Sequence, residues 1–230
     1  ELTPFNPNER IIEYLLNPKK NAPLVNLNLR EFANETASES PAPGGGSISA
    51  YVASLGVSLA TMVANLSSHK KGWDERWEEF SVWATKGQQL KDQLLKLVDE
   101  DTMSFNKIME AFALPKSTDD EKKIRDEAIQ AATKYAIEVP FKVMELSYES
   151  ILIAKQMVQI GNPNSITDAG VGALCARTAV IGAFMNVRIN SSGLKDKTFV
   201  NDIIAKGKII EENTKQVELD VITIINQHIS

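Results

Sequence analysis

The chain has 230 residues, of which 43% are hydrophobic, and its formal net charge is −5. This length and apolar content suit a globular protein with a sizeable core. The acidic balance, with lysines interleaved among the acidic residues, argues against nucleic-acid binding, which requires a basic patch. The single cysteine, Cys175, excludes a disulfide within the chain. Because the first twenty residues do not have the pattern of a signal peptide, we expect a cytoplasmic protein.

Hydrophobic periodicity predicts helices along the whole chain. The first are short segments over 8–16 and 29–37, followed by an uncharged helix over 48–68 and a long pattern over 74–114 that Pro115 ends. Thr118 and Glu121 form a capping box for the next helix, and Pro140 restarts the pattern as far as Ile160. Two further helices are predicted over 167–189 and 196–228.

The two helices over 48–68 and 167–189 are rich in small residues, and no segment shows the alternation of a strand. We therefore predict an all-α fold, a single-domain bundle of long helices around these two buried helices. Residues 1–230 form one domain in this interpretation, with 1–30 as an N-terminal helical extension. The uncharged stretch between Pro43 and His69 is long enough to span a bilayer, but its many serines favour a central helix packed on all sides and no membrane insertion.

The stretch Pro41-Ala-Pro-Gly-Gly-Gly-Ser47 opens directly onto this uncharged helix. After Pro43, the glycines Gly44, Gly45 and Gly46 lack a Cβ and can adopt positive φ, which brings backbone N–H groups close to a ligand. Ser47 is predicted to cap the helix. Free amides at a helix N-terminus favour an anion or an electron-rich heterocycle, so the loop is a candidate binding site. A tight turn without a ligand remains the alternative.

Few residues are candidates for catalysis. His69 has no second histidine or cysteine nearby, so no metal site is predicted, and Cys175 lies in an apolar helical pattern typical of a packed thiol. Asp101 aligns at helical spacing with apolar residues such as Leu97 and Phe105, whereas Glu100 points to the outer face. A carboxylate on a buried stripe is costly unless it is paired or used. A proton-transfer role and a structural ion pair both remain open.

The remaining candidates are polar residues near helix ends. Lys70 and Lys71 form a basic pair after the uncharged helix, and Asp168 begins the second small-residue helix. Asn186 and Asn190 are one turn apart, so two amides on one helical face could recognise a planar heterocycle. Each group also has a structural interpretation: a solvated helix end for the lysines, a dipole or capping role for Asp168, and satisfaction of neighbouring helix ends for the two asparagines.

Taken in order, these motifs resemble the formiminotransferase-cyclodeaminase family, and in particular its cyclodeaminase domain. The resemblance runs from about Glu31 to the C-terminus and rests on the whole set rather than on one motif. The matching segments are the glycine-rich stretch 41–47, Met62-Val-Ala-Asn65, Lys70-Lys71, Leu97-Val-Asp-Glu-Asp101 with Phe105, Ala113-Leu-Pro-Lys116, Asp168 and Gly182-Ala-Phe-Met-Asn186.

The resemblance implies an all-helical homodimer that converts 5-formiminotetrahydrofolate to 5,10-methenyltetrahydrofolate and releases ammonia. It implies that Asp101 is the proton acceptor and that the loop from Pro43 to Ser47 forms part of the folate site. Lys70 and Lys71 are then expected to meet the glutamate tail of the folate. His69 departs from the glycine expected before this pair, and is either a variant or a second proton carrier.

Ring closure requires only proton transfer, so no cofactor is expected beyond the folate substrate itself. Some relatives act instead as methenyltetrahydrofolate cyclohydrolases, and a non-catalytic folate-binding protein is a further alternative. Whether a separate glutamate formiminotransferase is a partner of this chain stays open.

Overall fold

A computed structural model describes residues 23–229 of the chain. These residues form six α-helices and no strand, which confirms the predicted all-α fold. The helices are α1 (Leu29–Thr36), α2 (Gly45–Ser68), α3 (Trp77–Ala113), α4 (Asp119–Ile160), α5 (Ile166–Ser191) and α6 (Lys197–Ile229). The predicted helix over 8–16, and most of the predicted extension over 1–30, lie outside the described residues.

The small-residue helices α2 and α5 pack against each other in antiparallel orientation at the centre of the bundle. Gly56 and Gly172 touch through their backbones, because a Cβ built on Gly56 would lie 2.8 Å from the carbonyl oxygen of Gly172. Nearer the other end of the pair, Gly182 faces Ser49. Alanines of both helices are fully buried at this contact. Small side chains therefore set the short distance between the two helices.

No helix among the described residues covers one face of this pair, which corrects the prediction that helices pack around α2 on all sides. On each helix, the exposed residues form a stripe that lies about 80° around the helix axis from the residues that contact the other helix, and the offset has the same direction on both helices. Because the two helices are antiparallel, both exposed stripes lie on the same side of the pair. We call this surface the α2/α5 face. Its most exposed apolar side chains are Leu55, Met62 and Leu66 on α2, and Val171, Leu174, Met185 and Ile189 on α5.

By length and composition alone, α2 and the segment Pro163–Ser191 could cross a membrane. However, 61% and 50% of their apolar windows are buried inside the bundle. Hydroxyl groups along α2 also bond within the helix, since Ser58 donates to the carbonyl of Ser54 at 2.6 Å and Thr61 to that of Val57 at 2.7 Å. These features are those of central helices in a packed bundle, and they leave the α2/α5 face as the open apolar surface.

Helix α4 runs without interruption through Pro140, whereas the sequence pattern predicted that a helix restarts there. Proline has no N–H, so the carbonyl of Ala136 loses its partner within the helix. The side chain of Asn190 on α5 supplies the missing donor, because its Nδ2 lies 2.7 Å from this oxygen. A tertiary hydrogen bond therefore compensates for the proline. The predicted capping box is present, with Glu121 N donating to Thr118 Oγ1 at 3.2 Å and Thr118 N donating to the Glu121 carboxylate at 3.0 Å.

Asp99 on α3 is a second inward-facing carboxylate that the helical pattern did not single out. It is 3% exposed, and it accepts hydrogen bonds from the backbone N–H of Leu24 at 2.8 Å and of Val25 at 3.4 Å. Burial raises its pKa, and these two hydrogen bonds oppose the rise. Asp99 thus attaches the segment before α1 to the bundle.

Changing Asp99 to asparagine is expected to lower the free energy of unfolding by about 1–3 kcal/mol, because an amide cannot accept from both backbone donors. Turnover should be unaffected, since Asp99 lies outside the cleft described below. Urea denaturation of this variant beside Asp92→Asn, an exposed aspartate on the same helix, measures the difference. Equal stability of the two variants would show that Asp99 does not anchor the segment.

Candidate active site

Asp101 caps the N-terminus of α2 from the neighbouring helix α3. Its Oδ2 accepts from the backbone N–H of Ser47 at 2.8 Å and from the Ser47 hydroxyl at 3.1 Å. Helix α2 begins at Gly45, three residues earlier than predicted, and its N-cap Gly44 has no side-chain capping bond. Ser47 therefore lies in the first turn and is not the cap. A carboxylate from another helix takes over that role, because the first-turn N–H groups have no acceptor within their own helix.

The glycines of the loop are required for space and not for an unusual backbone conformation. Gly44 has a φ of −95°, and none of Gly44, Gly45 and Gly46 has a positive φ, so that part of the prediction is wrong. A Cβ on Gly46 would overlap the carboxyl group of Asp101. A Cβ on Gly45 would lie 3.3 Å from Nδ2 of Asn186. The predicted close approach exists, and the groups that approach are Asp101 and Asn186.

A cavity of about 190 Å³ opens at this point. Its walls are the loop over 41–46, Asp101 and Phe105 from α3, Ala136 from α4, and Asn186 with Asn190 from α5. Pro43 is buried in the same loop. The fold thus brings together most of the site residues predicted from sequence, namely Pro43, Gly44, Gly45, Gly46, Ser47, Asp101, Asn186 and Asn190.

The environment of Asp101 suits proton transfer. Burial raises its pKa above the ordinary value of 3.8, and the two hydrogen bonds from Ser47 oppose this rise without cancelling it. Ser47 engages Oδ2, while Oδ1 has no hydrogen-bond partner among residues 23–229. A carboxyl group can take up a proton and return it when its pKa is raised, one oxygen is held in place and the other has no hydrogen-bond partner.

Both asparagines use their side-chain nitrogen in the protein. Asn190 Nδ2 donates to the carbonyl of Ala136, and Asn186 Nδ2 donates to the carbonyl of Gly182 at 2.9 Å. Satisfaction of helix carbonyls, which the sequence left as an alternative, is therefore present for both residues. Neither side-chain oxygen accepts a hydrogen bond among residues 23–229, and both residues line the cavity.

Glu100, which the helical pattern placed on the outer face, is engaged at the contact between α3 and α4. The hydroxyl of Tyr135 donates to its Oε1 at 2.5 Å. Burial, the hydrogen bond to Glu100 and the charge of that carboxylate raise the pKa of Tyr135 to about 12. The pair is therefore a structural hydrogen bond near the cleft, with the tyrosine protonated at neutral pH.

Three predicted site residues lie at the opposite end of the chain's central helix pair. Helix α2 has 24 residues and is therefore about 35 Å long, with Ser47 at one end and Lys70 and Lys71 beyond the other. Asp168 is in the first turn of the antiparallel helix α5, at the same end as the lysines. Lys70 lies over the ring of Trp73, with Nζ 4.0 Å from the ring centroid. Within one chain, these residues do not join the cleft at Asp101.

His69 is also at that distant end, where it is the exposed C-cap residue of α2. It does not reach Asp101 in the same chain and so cannot share a proton with it there. The sequence reasoning also missed the link between Pro140 and Asn190. A proline inside a helical pattern signals an unpaired carbonyl, but only the fold shows which side chain reaches it.

Comparison with known proteins places these observations in a family. The formiminotransferase-cyclodeaminase model matches residues 28–208. A formimidoyltransferase-cyclodeaminase of Rattus norvegicus is 35% identical over 201 residues, which are 86% of this chain and 37% of that protein. A methenyltetrahydrofolate cyclohydrolase of Methylorubrum extorquens is 35% identical over 177 residues, covering 77% of this chain and 85% of that protein.

The fold has a solved counterpart. The crystal structure of formiminotetrahydrofolate cyclodeaminase from Thermotoga maritima matches with a TM-score of 0.79 and 25% identity, over 89% of this chain and 98% of that chain. This chain spans 37% of the length of the rat relative, so it corresponds to one portion of that protein. Because the family model matches well over half of its residues, the chain belongs to the formiminotransferase-cyclodeaminase family.

Proposed function

We propose that this protein is a formimidoyltetrahydrofolate cyclodeaminase that converts 5-formiminotetrahydrofolate to 5,10-methenyltetrahydrofolate and ammonia. The observation that carries the proposal is the place of Asp101 at a cavity beside the N-terminus of α2. Its Oδ1 has no hydrogen-bond partner among residues 23–229, and burial raises the pKa of its carboxyl group. The names of the relatives and of the solved counterpart support the same chemistry.

In the proposed reaction Asp101 moves one proton twice. Atom N10 of the folate attacks the carbon of the protonated formimino group (N5–CH=NH₂⁺), and the N10–H proton passes to the carboxylate as the new C–N bond forms. The protonated carboxyl then gives this proton to the amino group of the tetrahedral intermediate. The C–N bond to that group breaks, ammonia leaves, and the methenyl bridge between N5 and N10 remains. A single carboxyl group near its pKa suffices for both transfers.

A methenyltetrahydrofolate cyclohydrolase is the second candidate. It is favoured by the relative of Methylorubrum extorquens, which this chain covers over 85% of its length. In that reaction a water attacks the methenyl carbon, and the same carboxylate would accept its proton. A folate-binding protein without turnover is a weaker alternative, because Asp101 retains the position and environment of a proton acceptor.

Two assays on the purified protein separate these functions. The first supplies 5-formiminotetrahydrofolate and records the rise of methenyl absorbance together with the release of ammonia. The second supplies 5,10-methenyltetrahydrofolate and records the loss of the same absorbance above the rate without enzyme. Activity in the second assay alone would replace the cyclodeaminase proposal with the cyclohydrolase, and binding without activity in either would leave a folate-binding protein.

We further propose that two chains form a homodimer through the α2/α5 face. It exposes seven large apolar side chains on two adjacent helices, and such an apolar surface on a folded chain marks an interface. A twofold axis near Ser58, close to the middle of α2, would set two copies of this helix antiparallel. The partner subunit's Lys70 would then lie within about one helical turn of Gly46. In this arrangement, the basic pair of one chain would lie near the folate site of the other chain and would bind the glutamate tail there.

Changing Leu55 to glutamate is expected to produce a folded monomer with little turnover, because two carboxylates would face each other near the twofold axis. Light scattering should report about twice the chain mass for the wild type and a single chain mass for the variant. Val82 on α3 is 67% exposed and lies outside the α2/α5 face, so Val82→Glu should remain dimeric and active. A fully active wild-type monomer, or a wild type that binds lipid vesicles through this face, would contradict the dimer.

A further inference from the structure

The orientation of Asn190 in the cleft is fixed by a proline on another helix. Pro140 lacks the N–H that would bond the carbonyl of Ala136, and Asn190 Nδ2 occupies that position at 2.7 Å. A carbonyl oxygen only accepts, so the amide must present its NH₂ group to Ala136. Its Oδ1 accepts no hydrogen bond among residues 23–229, and Asn190 lines the cavity.

Two other side chains that line the cavity, those of Asn186 and Asp101, also keep an oxygen without a hydrogen-bond partner among residues 23–229. Asn186 donates its NH₂ group to Gly182 O, which leaves its Oδ1 as an acceptor. Ser47 occupies Oδ2 of Asp101 and leaves Oδ1 open. Two amide oxygens one helical turn apart, together with one carboxylate oxygen, thus make a wall of acceptors. Such a wall is complementary to a ligand edge that carries several N–H donors.

We propose that Asn190, held in this orientation by the missing N–H of Pro140, is the residue that selects the heterocycle by accepting from an N–H group on its edge. The ligand assignment rests on the function proposed above, under which this edge is the 2-amino and N3–H edge of the pterin ring. Asn190 Oδ1 would accept from the 2-amino group, and Asn186 Oδ1 would accept from the neighbouring N3–H. Asn190 is thus a specificity-determining residue, and Pro140 is the positioning residue behind it.

This arrangement has a measurable consequence for ligand choice. A site built to accept from a ligand N–H rejects an analogue without that donor, because its own partly buried acceptor is left unpaired. The probes are folate and its 2-desamino-2-methyl analogue, with affinities measured by calorimetry. The wild type should bind the analogue about tenfold more weakly, the change expected for one lost hydrogen bond. Asn190→Leu should bind the two ligands with nearly equal affinity.

Two further variants separate the effect of Asn190 on ligand discrimination from its effect on the stability of the fold. Asn201→Leu removes an exposed asparagine on α6 and should keep the wild-type discrimination between the ligands. In Pro140→Ala the new N–H can bond the carbonyl of Ala136, so Asn190→Leu should lower the midpoint of thermal unfolding much less in that background than in the wild type. The double variant also supplies a folded protein for calorimetry if Asn190→Leu alone is unstable.

The outcomes distinguish this inference from the function on which it rests. Unchanged discrimination between the two ligands by Asn190→Leu would overturn the role of Asn190 and leave the cyclodeaminase proposal intact. The same holds for a wild type that binds folate and its analogue equally well and turns over 5-formiminotetrahydrofolate. Failure of the wild type to bind folate or to act on its derivatives would overturn both. An equal loss of thermal stability from Asn190→Leu with and without Pro140 would refute the positioning role of the proline.

Discussion

Replacing Asp101 with asparagine is expected to reduce turnover by a factor of about 10² or more while folate binding is retained. Asparagine keeps the shape of the side chain, and its single oxygen can still accept from the N–H and hydroxyl of Ser47, which both bond to Oδ2 in the wild type. It cannot take up and return a proton. Initial rates under saturating 5-formiminotetrahydrofolate, with calorimetric folate affinity alongside, measure the two properties separately.

The pH dependence follows from the raised pKa of Asp101. The group must be ionised to accept the N10 proton, so kcat/KM of the wild type should fall as pH drops through a pKa above 3.8. Because the folded-state pKa is the higher one, ionisation costs stability, and this contribution is present at low pH and lost as pH rises through the folded pKa. Asp101→Asn avoids that cost. It should be at least as stable as the wild type at pH 7, and the difference should shrink towards pH 3.8.

Glu100→Gln is the matched control for this experiment. The glutamine oxygen can still accept from the Tyr135 hydroxyl, which now donates to Glu100 at 2.5 Å, so turnover should change little. A comparable loss in both variants would point to a general effect of removing charge from α3. Undiminished turnover in Asp101→Asn would remove Asp101 from the mechanism.

The second large effect is expected from Gly46→Ala, which should abolish most turnover although it adds only one methyl group. The new Cβ would occupy the position of the Asp101 carboxyl group. Asp101 would have to rotate away from Ser47 and would lose both hydrogen bonds that orient it. Because alanine favours the helix over glycine, the free energy of unfolding should change much less than the rate. Initial rates and urea denaturation of the same preparation test this difference.

Gly193→Ala is the control for the added methyl group, since its Cβ would meet Thr133 Cγ2 at an ordinary 3.8 Å. It should retain wild-type turnover. If Gly46→Ala also retained it, the loop would tolerate a side chain beside Asp101 and the close approach would have no role in activity. If Gly46→Ala instead unfolded the protein, the contact between Gly46 and Asp101 would serve the packing of the fold and not the orientation of Asp101 for catalysis.

The sequence was sufficient to predict the all-α fold and the central position of two small-residue helices. Periodicity determines which face of a helix is apolar, and small residues at helical spacing allow backbones as close as those of Gly56 and Gly172. The inward position of Asp101 was predicted in the same way. Asp99 was missed because its partners, the N–H groups of Leu24 and Val25, are 75 and 74 residues away in the chain, and local periodicity contains no information about them.

Tertiary structure alone decided which of the candidates share a site. Lys70 and Lys71 follow the glycine-rich loop closely in sequence, but a rigid helix of 24 residues separates them from it in space. Asn186 and Asn190 are far from the loop in sequence and lie beside it, because α5 runs antiparallel to α2.

By itself the sequence determined the helices, their apolar faces and the side chains that are candidates for catalysis and binding. Only the packing of those helices decided that Asp101 caps α2 in place of Ser47, and that Asn190 supplies the hydrogen-bond donor that Pro140 lacks within α4. The physical reason is that helix periodicity is a local property of the chain. An unpaired backbone group, in contrast, is satisfied by whichever side chain the fold brings within hydrogen-bonding distance.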